Sequence, residues 1–311
     1  MTAATIRKPT GFDIAMIVLL GAVWASAFQA MALSVPSFGP VWLVALRVAI
    51  GFLVLLPWVL FRGMVWPSSP REWLMVAFLV CVNVLIPFFL LSWAAQIIPS
   101  GQLALLMGIT PLLGLVLSHF MTHDDKFNLL KLAAVILGFC GISVVVGQSA
   151  FEGIGDKLVA QLVTLLSGAC YVTSGLVLRK LDRLPPTRLS AMVLGFSALA
   201  FLPFSALTQP LPSAPDMTAL LALLYLGIFP TGLAYILRME MIRRVGVSVF
   251  SHVGNLIPVF GVVFGAVLLA EPVTLSTVAA LLLILTGLGL ARAASRPEKA
   301  PPKSAAPPPQ A

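Results

Sequence analysis

One cation stands inside a long uncharged run: Arg47, in VWLVALRVAIGFLVLLPWVLF. A guanidinium there either faces a wet cavity, ties off carbonyls of a broken neighbouring helix, or snorkels to an interface. In a cavity its five fixed donors suit a carboxylate or a carbonyl. Apolar runs also hold Trp24, Gln29, Asn83, Trp93, Tyr171, Tyr235, Ser251, His252 and Asn255. Each can join helices or touch a solute, and the aromatic members favour a planar, partly apolar one. An imidazole such as that of His252 can titrate near neutral pH, which leaves proton coupling open. No Asp or Glu lies deep in an apolar run, so a proton relay lacks its usual partner. No clustered nucleophile, acid pair or cofactor fingerprint emerges, so neither an enzyme nor a cofactor is expected. Cys81, Cys140 and Cys170 are odd in number, lie in apolar runs and lack metal-ligand spacing.

The surrounding chain dictates what must position these groups. Hydrophobic residues make up 59% of 311 and charged residues 10%, well below the roughly 25% of soluble domains. The net charge of +8 is spread between the apolar runs, which argues against a nucleic-acid surface. Turn signals and charges cut the chain into ten spans, near 14–34, 41–61, 73–96, 101–120, 129–147, 158–178, 189–208, 217–237, 245–270 and 273–291. Pro36, Gly39 and Pro40 divide the first pair, and Glu271-Pro272 the last. Each span can cross a hydrocarbon layer of roughly 30 Å. Residues 1–12 form a cytoplasmic leader, 148–157 an outer connector, and 293–311 a basic Pro/Ala-rich tail expected to be disordered.

Of the 19 Lys and Arg residues, Lys157 alone falls in an outer segment, and Arg47 lies deep within a span. The remainder lie in inner segments, which predicts cytoplasmic termini. The halves also echo each other at an offset of 147: Gly21 and Trp24 with Gly168 and Tyr171, and Pro111 and Gly114 with Pro258 and Gly261. Five spans per half force opposite orientations. The expected fold is thus an all-α membrane protein of ten transmembrane helices arranged as two inverted five-helix repeats, 13–147 and 158–292. Gly138, Gly141, Gly287 and Gly289 keep the last helix of each half thin for close packing.

Both halves resemble the EamA domain of the drug/metabolite transporter superfamily. The resemblance is carried by Asn255-Leu256-Ile257-Pro258, Ala270-Glu271-Pro272 and Gly287-Leu288-Gly289, and covers roughly residues 12–292. In the first half the usual glutamate-proline turn is replaced by His123-Asp124-Asp125-Lys126. The resemblance implies a multi-pass carrier of the bacterial inner membrane, often an exporter, with a central cavity between the halves. It implies a small metabolite, amino acid or drug-like solute moved by alternating access. An uptake permease or facilitator of the same fold, and a non-transporting receptor, stay as alternatives. Pro87, Pro111 and Pro258 mark helix breaks that can expose carbonyls. Membrane lipids surround the chain, and monomer and homodimer both remain open.

Overall fold

The computed structural model describes residues 9–121, 128–151 and 155–294, all helical apart from short connections. The leader before residue 9, the Asp124-Asp125 turn and the tail after Ala294 lie outside the described residues. Chain order is α1 Gly11–Arg62, α2 Pro70–Leu79, a π-helix Val80–Leu85, α3 Ile86–Ala94, α4 Ser100–Met107, α5 Thr110–Met121 and α6 Leu129–Phe151. The second half follows with α7 Asp156–Leu178, α8 Pro186–Thr208, α9 Met217–Leu226, a π-helix Gly227–Leu233, α10 Ala234–Phe250, α11 Val253–Leu269 and α12 Leu275–Ala294. Among the described residues eight helical stretches are long and apolar enough to cross a membrane, and Val253–Leu269 is a shorter apolar helix. The protein is an all-α, multi-pass membrane bundle.

Two of these helices are broken by glycine. At 52 residues α1 would extend about 78 Å as one rod, far beyond a bilayer. Gly39 interrupts it at φ 65° and ψ 161°, a backbone state that a Cβ makes costly, and Pro40 follows. Gly246, at φ 82° and ψ 163°, breaks α10 in the same manner. At its start α1 is closed by a capping box, Thr10 and Asp13 exchanging hydrogen bonds through side chain and backbone.

The halves interlock: α1 packs mainly on α8, α9 and α11, α3 on α7, α4 on α11, and α6 on α12. The two π-helices start at Val80 and Gly227, again 147 residues apart. A π turn absorbs one extra residue and so resets which side chains share a face. One boundary differs from the sequence expectation. The helix through Met217 does not end before Arg238 but continues to Ile242, because the π-helix carries it without a break into α10. Arg238 therefore sits inside the bundle wall, not in a loop.

The α6–α12 contact shows what the small residues do. A Cβ on Gly287 would stand 2.7 Å from the Ala134 carbonyl oxygen, and one on Gly141 3.0 Å from that of Ala280. Gly138 faces Leu112, whereas Gly289 has open space around it. Three of the four glycines are thus spent on packing inside the chain. Gly287→Ala is expected to cost about 1–3 kcal/mol, since backbone must yield. Gly289→Ala should be neutral or slightly stabilising. Thermal unfolding of both variants in detergent checks this, and equal midpoints would remove the packing argument.

Candidate functional site

Between the halves lies a cavity of about 380 Å³. Its lining is built from matching positions of the two repeats, each pair 147 residues apart. The α1 wall gives Trp24, Ala27, Phe28 and Met31, matched on α7 by Tyr171, Ser174, Gly175 and Leu178. Asn83, Phe88 and Leu91 are matched by Pro230, Tyr235 and Arg238, and Met107 and Thr110 by Gly254 and Ile257. Arg47, Pro111 and Phe250 complete the lining without such a match. The cavity thus straddles the internal pseudosymmetry.

The π-helices explain part of that lining. Five residues along a plain α-helix turn through about 500°, placing the ends roughly 140° apart. Asn83 and Phe88 nonetheless share the cavity, as do Pro230 and Tyr235, because the π turn between them absorbs one residue. Arg238 follows Tyr235 by three positions and returns to the same face.

Arg47 is buried, with 6% of its surface exposed. Its Nε donates to Thr231 Oγ1 at 2.8 Å, Nη1 lies 3.7 Å from Met31 Sδ, and the guanidinium carbon stands 3.9 Å above the Phe88 ring. The ring face attracts the cation. No carboxylate is among these contacts, so the charge is held by a hydroxyl, a thioether and a π cloud. Close packing delivers Thr231: its Cγ2 would meet a Cβ on Gly51 at 2.7 Å, and Gly227 and Gly232 approach Ile50 and Val54 as tightly. Trp24 Nε1 donates to the Pro230 carbonyl at 3.3 Å, tying α1 to the second π-helix. Ser174 Oγ lies 2.8 Å from both Asn83 Oδ1 and the Tyr171 carbonyl.

Of the ten candidates, Arg47, Trp24, Asn83, Tyr171 and Tyr235 line the cavity, and so does Pro111. The other five do not. Gln29 is buried but donates to Ser100 Oγ at 3.1 Å and to the Gly261 carbonyl at 2.9 Å, joining α1, α4 and α11. Trp93 packs against the hydrophobic core, because it points away from the face that Phe88 and Leu91 share. Ser251 and His252 are exposed, and Arg292 donates to the Ser251 carbonyl at 3.0 Å and to His252 Nδ1. Asn255 is half-buried on α11 between lining neighbours, its backbone N–H bonded to the His252 carbonyl. Pro87 and Pro258 are buried in packing, Pro258 against Gly108.

Glu271 does more than turn the chain. Ala270 adopts the left-handed conformation (φ 52°, ψ 32°), and its N–H and that of Glu271 both donate back to the Gly265 carbonyl, closing α11. That turn aims the Glu271 carboxylate at the start of α4. It accepts from Ser100 N and Ser100 Oγ, both at 2.7 Å, and from Gly101 N at 2.8 Å. A carboxylate at a helix N-terminus is favoured by the unpaired N–H groups there and by the helix dipole. Pro272 lines a smaller cavity of about 240 Å³ beside it.

Sequence reasoning missed Phe88, Met31, Thr110, Thr231 and Arg238 around this site. Arg238 had a signal, a basic residue three positions after a lining tyrosine. The apolar residues had none, because they differ in no way from lipid-facing neighbours until the π turns set their phase. Among the described residues no group of three or more His, Cys, Asp or Glu could hold a metal ion.

Comparison with known proteins agrees with this architecture. A transporter of Archaeoglobus fulgidus, described only as uncharacterized, is 31% identical over 277 residues, covering 85% of this chain and 93% of that one. The uncharacterized transporter YoaV of Bacillus subtilis is 24% identical, covering 88% and 94%. A Salmonella typhimurium protein named "Probable amino-acid metabolite efflux pump" is 24% identical over 61% of this chain and 66% of its own. A solved crystal structure, 20% identical, shares the fold with a TM-score of 0.63 over 93% of this chain and all of that one. The EamA-like transporter family is matched twice, at residues 12–147 and 158–292, and the chain belongs to that family of small-molecule transporters.

Proposed function

We propose that the chain is a ten-span secondary carrier of two inverted five-helix repeats, 13–147 and 158–292, working by alternating access with the 380 Å³ cavity as its solute site. Arg47 is its principal solute contact, and Trp24, Asn83, Tyr171 and Tyr235 complete the binding wall. The observation that carries this reading is the cavity itself, lined pairwise by both repeats and holding a buried cation with no carboxylate partner among the described residues. Gly39 divides α1 into two spans, and Gly246 separates the Met217–Ile242 stretch from the shorter helix Val253–Leu269, which together bring the eight long stretches to ten. The basic residues set the termini in the cytoplasm of a bacterial inner membrane. Leu178 ends α7 directly before Arg179 and Lys180, so the cavity leans towards the cytoplasmic face. Export is the favoured direction, in keeping with the Salmonella relative's name.

The test is transport by purified protein in sealed vesicles, read from both sides against a broad solute set. Movement of no solute in either direction would count against the carrier. Topology has its own check, in a background where Cys81, Cys140 and Cys170 are replaced. Met217→Cys is expected to react with an impermeant thiol reagent from outside intact cells, and Met64→Cys to stay unreacted. The reverse pattern overturns the orientation.

A further inference from the structure

We infer that this cavity selects an organic anion, a carboxylate carried on an apolar, ring-sized body, and that Arg238 holds it together with Arg47. The inference rests on the reading of the cavity as the solute site. Arg238 lines the wall from α10, and its Nε is buried with no hydrogen-bond partner. A buried donor left unmatched is costly. The acid nearest in sequence, Glu240, is engaged by Arg244 at 2.7 Å. Arg47 is likewise held without an acid, and the lining residues include no Asp, Glu or His. Two cations facing one largely apolar cavity repel each other, and no carboxylate stands among its described lining residues. A solute that brings the negative charge removes both costs.

The internal repeat sharpens the point. Arg238 corresponds to Leu91, and Arg47 to Leu194, which is buried outside the cavity. Packing of the repeat is satisfied by leucine at both places, so the two charges are departures from the scaffold. A zwitterionic amino acid would bring an ammonium group to walls without an anionic acceptor. Of the neutral acceptors, Asn83 Oδ1 faces Ser174 Oγ and the Pro230 carbonyl takes the Trp24 N–H. A sugar phosphate would satisfy the arginines but lay hydroxyls against Phe28 and Phe88. Arginine's planar fork suits a carboxylate.

Four probes with one ring system separate these cases: indole-3-acetate, indole-3-acetamide, tryptophan and tryptamine. Hexanoate and hexanamide form an aliphatic pair. Calorimetric binding to the detergent-purified full chain and counterflow in vesicles are both measured. Each acid is expected to bind at least about tenfold tighter than its amide, as a charge-assisted contact warrants, with tryptamine weakest. Arg238→Gln should shrink the acid-over-amide preference to about threefold or less. Arg238→Lys should keep most of the preference, which guards against a misfolded glutamine variant. An amide or tryptophan binding as tightly as indole-3-acetate overturns the inference, as does an undiminished preference in folded Arg238→Gln. If neutral or zwitterionic solutes are carried and no carboxylate is, the anion assignment fails and the carrier stands. If nothing moves from either side, the carrier reading fails with it.

Discussion

Arg47→Ala is expected to lower transport by roughly tenfold to a hundredfold while the protein still inserts and purifies as a monodisperse species. That range follows from losing one charge-assisted contact to the solute, about 1.5–3 kcal/mol. Stability should change little, because the residue is a buried cation with no carboxylate partner among the described residues and its removal relieves desolvation. Arg47→Lys keeps the charge but loses the planar fork, so partial rescue points to electrostatic attraction and failure to a multi-donor contact. Thr231→Val isolates the structural share, since Thr231 accepts from Arg47 Nε and lies on the second π-helix. If Thr231→Val reproduces the whole loss, Arg47 acts by bracing helices. A folded Arg47→Ala protein with ordinary rate and affinity would sink the assignment altogether.

Glu271→Ala is expected to destabilise the protein by about 3 kcal/mol or more, the loss of several hydrogen bonds to a charged acceptor. Three donors, Ser100 N, Ser100 Oγ and Gly101 N, would lose their acceptor at once. Gln29 makes the loss spread, because it donates to Ser100 Oγ and to the Gly261 carbonyl in the same cluster. One carboxylate thereby links α1, α4, α11 and the turn before α12. Glu271→Gln should recover part of the loss, as one amide oxygen can still accept while its NH₂ opposes a backbone N–H. The measurements are thermal unfolding in detergent and transport at matched folded fraction. Wild-type values on both for Glu271→Ala would mean the cluster is incidental.

Much of the architecture was legible because it rests on local chemistry. Gly39 and Pro40 mark their own break, apolar runs mark their own helices, and a lone arginine in such a run marks a buried charge. The 147-residue offset was visible in a few Gly, Pro and aromatic positions, and the same offset organises the cavity lining. What stayed hidden depends on phase and depth. Trp93 was chosen for its ring, but the face shared by Phe88 and Leu91 excludes it. His252 was chosen for its imidazole, yet it lies at an exposed break beside Arg292. Arg238 was taken for a loop charge because charges commonly end spans, a rule that fails where a residue faces a cavity. Glu271 was recognised as part of a turn, but its partners lie 170 and 171 residues away and no periodicity announces them.

The paired π-helices also record a history. Each is a helix with one residue more than regular winding needs, and both begin at the same place in their half. The simplest history puts that extra residue in a single ancestral unit, before the gene was doubled. Arg47 and Arg238 correspond to leucines in the other repeat, so each charge belongs to one copy alone. The winding is common to both copies, and the charges are not. Descendants of that doubled gene could change cargo by exchanging a few unshared side chains, with the inherited kinks still holding the chamber open.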